Sequence, residues 1–340
     1  MSHVLQSVKI FSIPNPPQWA LDAARLLGLT LSDIAVEQYS LGQFRIQLCD
    51  NVRERRVVIL ASSDGDTNIT YAQIEQLIAA ARLAGASSID VVMPYFGYAR
   101  SDKEDAPRVG IIARIKAEIL ETVGATRMTS MNLHNSAIQG FFSIPFSRLD
   151  SMPLVTLALH KLYPKGTLLT FSSPDLKGGE LAVPYIRHFP GSTLVSVWKK
   201  RTSNEDVKII DIVGNPQGTV VVVDDEIATG GSMARAGDAL IARGAKQVSY
   251  VATHGMFSGN AWVRILSTKP EHIIVTDTVR FIPPKKVPRG TRIIVVGIAP
   301  MIAESVRRNM LGGSMHELHS LEYWEAWYNE HPKQRLFKEL

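Results

Sequence analysis

The chain has 340 residues, 45% hydrophobic and 20% charged, an ordinary globular composition long enough for two domains of roughly 150 residues, each able to bury its own core. Its single cysteine, Cys49, excludes an internal disulfide and fits a reducing cytoplasm; the N-terminus lacks a signal-peptide core, and no apolar run approaches the roughly 18–20 residues of a membrane helix. The formal charge of +5 comes from scattered Lys and Arg rather than a basic arm, so anionic small substrates account for it and nucleic acid is not implied.

Short β-branched runs alternate with segments of helical period, the pattern of parallel α/β units. Arg56–Ala61 (RVVILA) is predicted as a buried strand. The helix after it carries Ile74, Leu77, Ile78 and Ala81 on one face and stops at Gly85. Ile89–Met93 is the next strand, and a second helix runs from about Ile111 to Thr122, ending at Gly124. Ser151–Pro153 is where the domains divide. Beyond it, Thr167–Phe171, Thr193–Val197, Thr219–Val223, Gln247–Val251 and His272–Thr276 are strand candidates. Met233, Ala236, Leu240 and Ile241 are placed on one face of the helix between two of them. After about residue 312, Tyr323, Trp324, Trp327 and Tyr328 cluster with charges, reading as a C-terminal helix packed on the body or on a neighbouring subunit. The fold class expected is α/β: two similar domains, each a mostly parallel sheet flanked by helices. Residues 1–150 form the first and 151–312 the second, with a helical tail over 313–340.

The most informative stretch is Val220–Ser232, VVVVDDEIATGGS. A buried strand delivers two carboxylates at its C-terminal end, where ligands bind in such sheets. Thr-Gly-Gly-Ser then opens a helix, whose free N–H groups and close backbone approach suit a phosphate. Thr229 and Ser232 add hydroxyl donors around Gly230 and Gly231, and Asp224 and Asp225 can accept from vicinal sugar hydroxyls. The bland alternative is a strand, a turn and a helix with solvated acids.

This stretch resembles the PRPP-binding motif shared by type I phosphoribosyltransferases and PRPP synthetases (ribose-phosphate diphosphokinases). VVMPYFGYARSDK (91–103), NLHNSAIQGFF (132–142), SSPDLKGG (172–179) and ATHGMFSGNA (252–261) resemble landmarks of the second group, in that order. With NVRERRVVILAS (51–62), the likeness covers roughly residues 8–300. It implies a phosphoribosyltransferase-like fold, with a last strand near Arg292–Val296 and residues 292–312 completing the first domain. It also implies a Mg²⁺-dependent transfer of diphosphate from ATP to a phosphorylated ribose.

By the same resemblance, His134 and Asp175 reach Mg²⁺, although Mg²⁺ prefers oxygen ligands and His134 taken alone reads as a hydrogen-bonded core histidine. Lys199 and Arg201, otherwise a solvated cluster leaving a strand, match a Lys and an Arg on a mobile loop that closes over the reacting phosphates. Arg100, Ser101 and Asp102 match residues that hold ATP, with His134 beside them; Tyr39 and Gln43 bracket the adenine contact. The sugar phosphate falls to Asp224, Asp225, Ala228, Thr229, Gly230, Gly231 and Ser232. The resemblance implies a homo-oligomer, a hexamer built from dimers.

Departures bear on the substrate. Ala228 stands where the family has an Asp and Ser232 where it has a Thr; Tyr39-Ser40-Leu41-Gly42-Gln43 lacks both acids of the adenine segment. Asn132 replaces an Asp, Lys177 shifts the SPD loop, and Glu104, Asp105 and Ala106 replace a basic stretch that binds the inhibitory nucleotide in regulated members. Three readings follow. One is PRPP synthesis from ribose 5-phosphate. Another is the same chemistry on an enlarged ribose such as ADP-ribose, in rebuilding NAD. The last is a non-catalytic PRPP-synthetase-associated subunit.

Overall fold

The computed structural model describes residues 7–63, 65–174, 179–201 and 207–340, with the backbone alone for 179–180, 199–201 and 207–210. The chain divides into two compact units: residues 1–150 with 278–280 and 298–319, and residues 151–277 with 281–297 and 320–340.

In the first unit, β1 (Val8–Ser12), α1 (Gln18–Leu26), β2 (Ile34–Gln38), β3 (Phe44–Leu48), β4 (Arg56–Leu60), α2 (Thr67–Leu83), β5 (Ser88–Val92), α3 (Ile112–Val123), β6 (Arg127–Met131) and β7 (Phe146–Leu149) follow in order. Five of these strands make an all-parallel sheet, β1-β4-β5-β6-β7. Parallel strands are covered on both faces, which is why Val57–Leu60 and Val91–Val92 are apolar without alternation and fully buried. The α2 stripe Ile74, Leu77, Ile78 and Ala81 is buried on this sheet. Asp66 starts that helix by accepting from the N–H groups of Asn68 (3.0 Å) and Ile69 (3.1 Å). The β2–β3 hairpin forms a separate two-stranded sheet, held to α2 by Gln76, which accepts from Ile46 N at 2.9 Å and donates to Phe44 O at 3.0 Å.

The second unit holds α4 (Met152–Leu162), β8 (Leu169–Ser173), α5 (Gly179–Ile186), β9 (Thr193–Arg201), β10 (Val207–Val213), β11 (Thr219–Ile227), α6 (Gly231–Ala242), β12 (Gln247–Gly255), α7 (Ala261–Ser267), β13 (His272–Thr276) and β14 (Arg292–Val296). The chain then gives α8 (Ala299–Leu311) to the first unit and ends in the second with α9 (Leu321–Glu330) and β15 (Phe337–Glu339). The sheet order is β10-β9-β8-β11-β12-β13-β14-β15; the six central strands are parallel and each edge strand antiparallel. Among the described residues, no helix is long and apolar enough to cross a membrane.

Four expectations are corrected. Arg292–Val296 stays in the second sheet, in register with His272–Thr276; the element after it, α8, is what joins the first unit, where Arg307 donates to Leu26 O at 3.2 Å. The tail is helix plus strand: Trp324 and Trp327 are buried, and β15 covers the β14 edge that would otherwise stand unpaired. Ile241 is 40% exposed, because Met233, Ala236 and Leu240 centre the buried stripe of α6 away from it. Lys199 and Arg201 lie within β9, laddered to Ile209 and Val207, rather than in a loop.

At the N-terminal ends of the second sheet's strands, Tyr163 Oη lies 2.7 Å from Ser249 Oγ, 2.8 Å from His272 Nδ1 and 3.3 Å from Glu271 Oε2. Arg292 Nη2 is 2.6 Å from His272 Nε2. Arginine can only donate, so Nε2 accepts, and the neutral ring carries its proton on Nδ1 toward Tyr163. Burial, then the Arg292 charge, lowers the His272 pKa to about 4. The unfolded ring therefore binds a proton that the folded one refuses between the ordinary histidine pKa and about 4. This contribution to stability is whole above about pH 6.5 and is lost as pH falls through about 4. The melting temperature is expected to fall across that window, with a shallower fall in His272→Gln; equal slopes in thermal melts of the two proteins would refute the linkage.

Candidate functional site

The second unit's site begins with β11. Val220–Val223 are buried, and the strand delivers Asp224, half-buried, then Asp225 and Glu226, 8% and 6% exposed. Asp225 N donates to Asp224 Oδ1 at 3.0 Å, which turns that carboxylate back over its own backbone. Beyond the strand the chain is pinned from one side. The N–H groups of Met256 and Phe257 both donate to Ile227 O at 3.0 Å, Ser258 N donates to Ala228 O at 2.8 Å, and Arg264 Nη1 donates to Thr229 O at 3.2 Å. In a planar trans peptide the N–H lies opposite the C=O. Three successive carbonyls turned toward residues 256–264 thus leave the N–H groups of Ala228, Thr229 and Gly230 facing away from that brace.

The turn then enters α6. Gly230 sits at φ +72°, left-handed, as its cap. A Cβ there would lie 3.0 Å from Ile265 Cγ1 and 3.1 Å from Ala261 O, so both the dihedral and the packing of α7 call for glycine. The first helical bond runs from Ala234 N to Gly230 O at 3.0 Å, so the amides of Gly231, Ser232 and Met233 have no acceptor within the helix. Thr229 is exposed and Ser232 half-buried, so the turn is open rather than sealed. This run of N–H groups, with the positive end of a 12-residue helix behind it, is chemistry for an anion.

The first unit gathers a second set of residues at the C-terminal ends of β5 and β6. Tyr98 adopts φ +64° and donates to Asn68 Oδ1 at 2.6 Å, while Tyr71 Oη donates to Gly97 O at 2.9 Å. This fixes the loop that exposes Arg100. Ser101 is taken up by the start of α3: its Oγ accepts from Ile112 N at 3.3 Å, and its carbonyl accepts from Ala113 N at 3.1 Å. Asp102 Oδ2 accepts from Asn135 Nδ2 at 2.6 Å, joining the β5 loop to the β6 loop that carries the exposed His134. Asn132, at φ +41°, donates to Asp150 Oδ1 at 2.9 Å. An aspartate at position 132 would set two carboxylates face to face, a physical reason for the amide there.

Tyr39 and Gln43 close the tip of the β2–β3 hairpin through Tyr39 N to Gln43 O, 2.8 Å, with Leu41 95% exposed between them. Burial, then its bond to Glu37, raises the Tyr39 pKa. No hydrogen bond among the described residues ties Tyr39 or Gln43 to Arg100, Asp102 or His134. Asp175 lies outside the described residues, as do the side chains of Lys199 and Arg201. Sequence reasoning passed over Asn135, Asp150 and Arg264. Asn135 was legible as the neighbour of His134; Arg264 was not, since its acceptor is a carbonyl 35 positions away.

Residues 8–124 match the family model described as the N-terminal domain of ribose phosphate pyrophosphokinase, and residues 175–320 match the one described as the phosphoribosyl synthetase-associated domain. A ribose-phosphate pyrophosphokinase of Wolinella succinogenes is 37% identical over 92% of this chain and 99% of its own length; that of Campylobacter jejuni is 33% identical over 92% and 99%. The crystal structure of phosphoribosylpyrophosphate synthetase from Mycobacterium smegmatis superposes with a TM-score of 0.83, at 29% identity, over 90% of this chain and 99% of that one.

Replacing Gly230 by Ala forces a left-handed alanine against Ala261 O, at a cost of about 1–3 kcal/mol. Gly230→Ala is expected to lower the melting temperature by a few degrees and to weaken inorganic phosphate binding about tenfold in calorimetry. Unchanged phosphate affinity would mean the turn is not the anion seat.

Proposed function

This chain belongs to the ribose-phosphate pyrophosphokinase family, and on that footing we propose that it transfers the β,γ-diphosphate of ATP to the anomeric hydroxyl of ribose 5-phosphate, giving PRPP and AMP with Mg²⁺. The observation that carries the reading is the braced turn at 228–232, whose N–H groups face away from α7 directly beside Asp224 and Asp225. The turn would hold the 5′-phosphate; the two aspartates would accept from the vicinal ribose hydroxyls and so orient the sugar. In the reaction the anomeric oxygen bonds to the β-phosphorus, the bond to the α,β-bridging oxygen breaks, AMP departs with that oxygen, and the hydroxyl proton passes to solvent.

Arg100, exposed at the head of its loop, would pair with ATP phosphates, and Asp102 and His134 would stand beside it. Ser101 would act through its backbone bond to α3. Lys199 and Arg201 would supply positive charge as it is needed in the transition state. Tyr39 and Gln43, on a hairpin whose apolar tip is open to solvent, would meet adenine in an assembled homo-oligomer.

Mg²⁺ takes one or two protein ligands and completes its shell with substrate phosphates and water. His134 and Asp175 are the positions that would hold it, and when bound it neutralises phosphate charge. The two compact units, residues 1–150 with 278–280 and 298–319 and residues 151–277 with 281–297 and 320–340, are proposed as the two domains, and the cytoplasm as the location.

The test is AMP release and product mass on mixing the protein and Mg-ATP with ribose 5-phosphate, ADP-ribose or no sugar. Ribose 5-phosphate is expected to give PRPP. Product with ADP-ribose alone, or AMP with neither sugar, would overturn the proposal. Lys199→Ala and Arg201→Ala are each expected to lower kcat about 10²–10³-fold, with KM for either substrate changed severalfold at most, because their charge is spent on the transition state. A KM effect as large as the kcat effect would assign them to ground-state binding.

A further inference from the structure

Arg235 stands one turn into α6, four residues after Gly231. Helix side chains lean toward the N-terminus, so Arg235 folds back over the first turn, where the backbone amides are without helical acceptors. Gly231 makes room for it: a Cβ at that position would lie 3.2 Å from Arg235 Nη1, 3.4 Å from Nη2 and 3.6 Å from Cζ. The guanidinium is therefore laid against the backbone of the phosphate turn itself.

Its Nε is buried and has no hydrogen-bond partner. No ion pair involves Arg235 among the described residues, and Asp238, three residues on along the same helix, is exposed and does not close one. Arginines at such sites are normally paired, and a buried donor without an acceptor calls for a ligand or a solvent partner. Two independent features thus converge on one turn of helix: a set of N–H groups faced away from their brace, and a rigid cationic fork with spare donors.

We propose that Arg235 is a phosphate-binding, specificity-determining residue that takes the phosphate at C5 of the sugar acceptor, alongside the amides of residues 228–232. The planar guanidinium matches two phosphate oxygens at once, whereas the backbone amides supply only partial charge. Ala228, in the same turn, places no carboxylate against that anion. An acceptor bearing a phosphate ester or a diphosphate at C5 is favoured over an unphosphorylated sugar. This assignment rests on the turn being the acceptor's seat.

The experiment uses the full chain and the variants Arg235→Gln and Arg235→Lys. Calorimetry with ribose 5-phosphate, ADP-ribose and ribose reads binding without turnover; steady-state assays read KM for ribose 5-phosphate and for ATP. Arg235→Gln is expected to weaken ribose 5-phosphate about ten- to fiftyfold in both Kd and KM, leaving KM for ATP within about twofold. Arg235→Lys should recover part of the loss, since a point charge replaces the fork. Melting temperatures should agree within about 2 °C. An unchanged Kd in Arg235→Gln, equal losses for both substrates with a lowered melting temperature, or wild-type protein that binds no ribose 5-phosphate would each overturn the assignment. Wild-type protein that binds ribose 5-phosphate without turnover, while Arg235→Gln binds it more weakly, refutes the proposed reaction and leaves this assignment standing. A contrast confined to ADP-ribose would assign the fork to the second phosphate of a longer acceptor and overturn the C5-phosphate assignment.

Discussion

The site of the second unit depends on the direction of three carbonyls. Ile227, Ala228 and Thr229 each turn their oxygen to the segment 256–264, and in doing so fix where the following N–H groups point. An isolated Thr-Gly-Gly-Ser turn would sample many orientations, because glycine is conformationally permissive. Bonds from Met256, Phe257, Ser258 and Arg264 remove that freedom before any ligand arrives. Preorganisation of this kind is what makes backbone dipoles effective against a localised anion.

The brace is in turn a product of the sheet. β12 runs parallel to β11 with Glu226 in register with His254 and Ile227 with Gly255, so the chain emerging from β12 lies beside the turn emerging from β11. Phe257, at φ +46°, stacks on Trp262 with ring centroids 3.7 Å apart, and Phe281 meets both edge-on. That aromatic packet seats α7, which then presents Ala261 and Ile265 to Gly230. Register, aromatic packing and the left-handed Gly230 are therefore links of one arrangement, and a change at any of them is felt at the amides.

The first unit solves a different problem with side chains. Its loops after β5 and β6 are tied by Tyr98 to Asn68, Asp102 to Asn135, and Asn132 to Asp150. Such a set holds exposed groups, Arg100 and His134, on a frame whose strain sits at Tyr98, Arg108 and Asn132. Asparagine tolerates that backbone better than most residues, and its amide also suits Asp150.

The central strands and the buried stripe of α2 were legible because parallel strands are covered on both faces and the helix is covered on one, which writes itself as β-branched runs and a 3.6-residue period. Strands such as Arg127–Met131 and Phe146–Leu149 carry polar residues and leave no such trace, and β2 is mostly exposed. The placement of Arg292–Val296 was lost because a strand's composition reports its burial and says nothing of which sheet buries it. By itself the sequence determined the α/β class, the strand–turn–helix with its acids and glycines, and through its motifs the family. Only the tertiary structure decided which carbonyls are held, that Arg264 braces the turn, and that Arg235 lies against Gly231. Local periodicity encodes how a segment is covered, whereas the direction of a peptide group is set by partners that the chain brings close only when it folds.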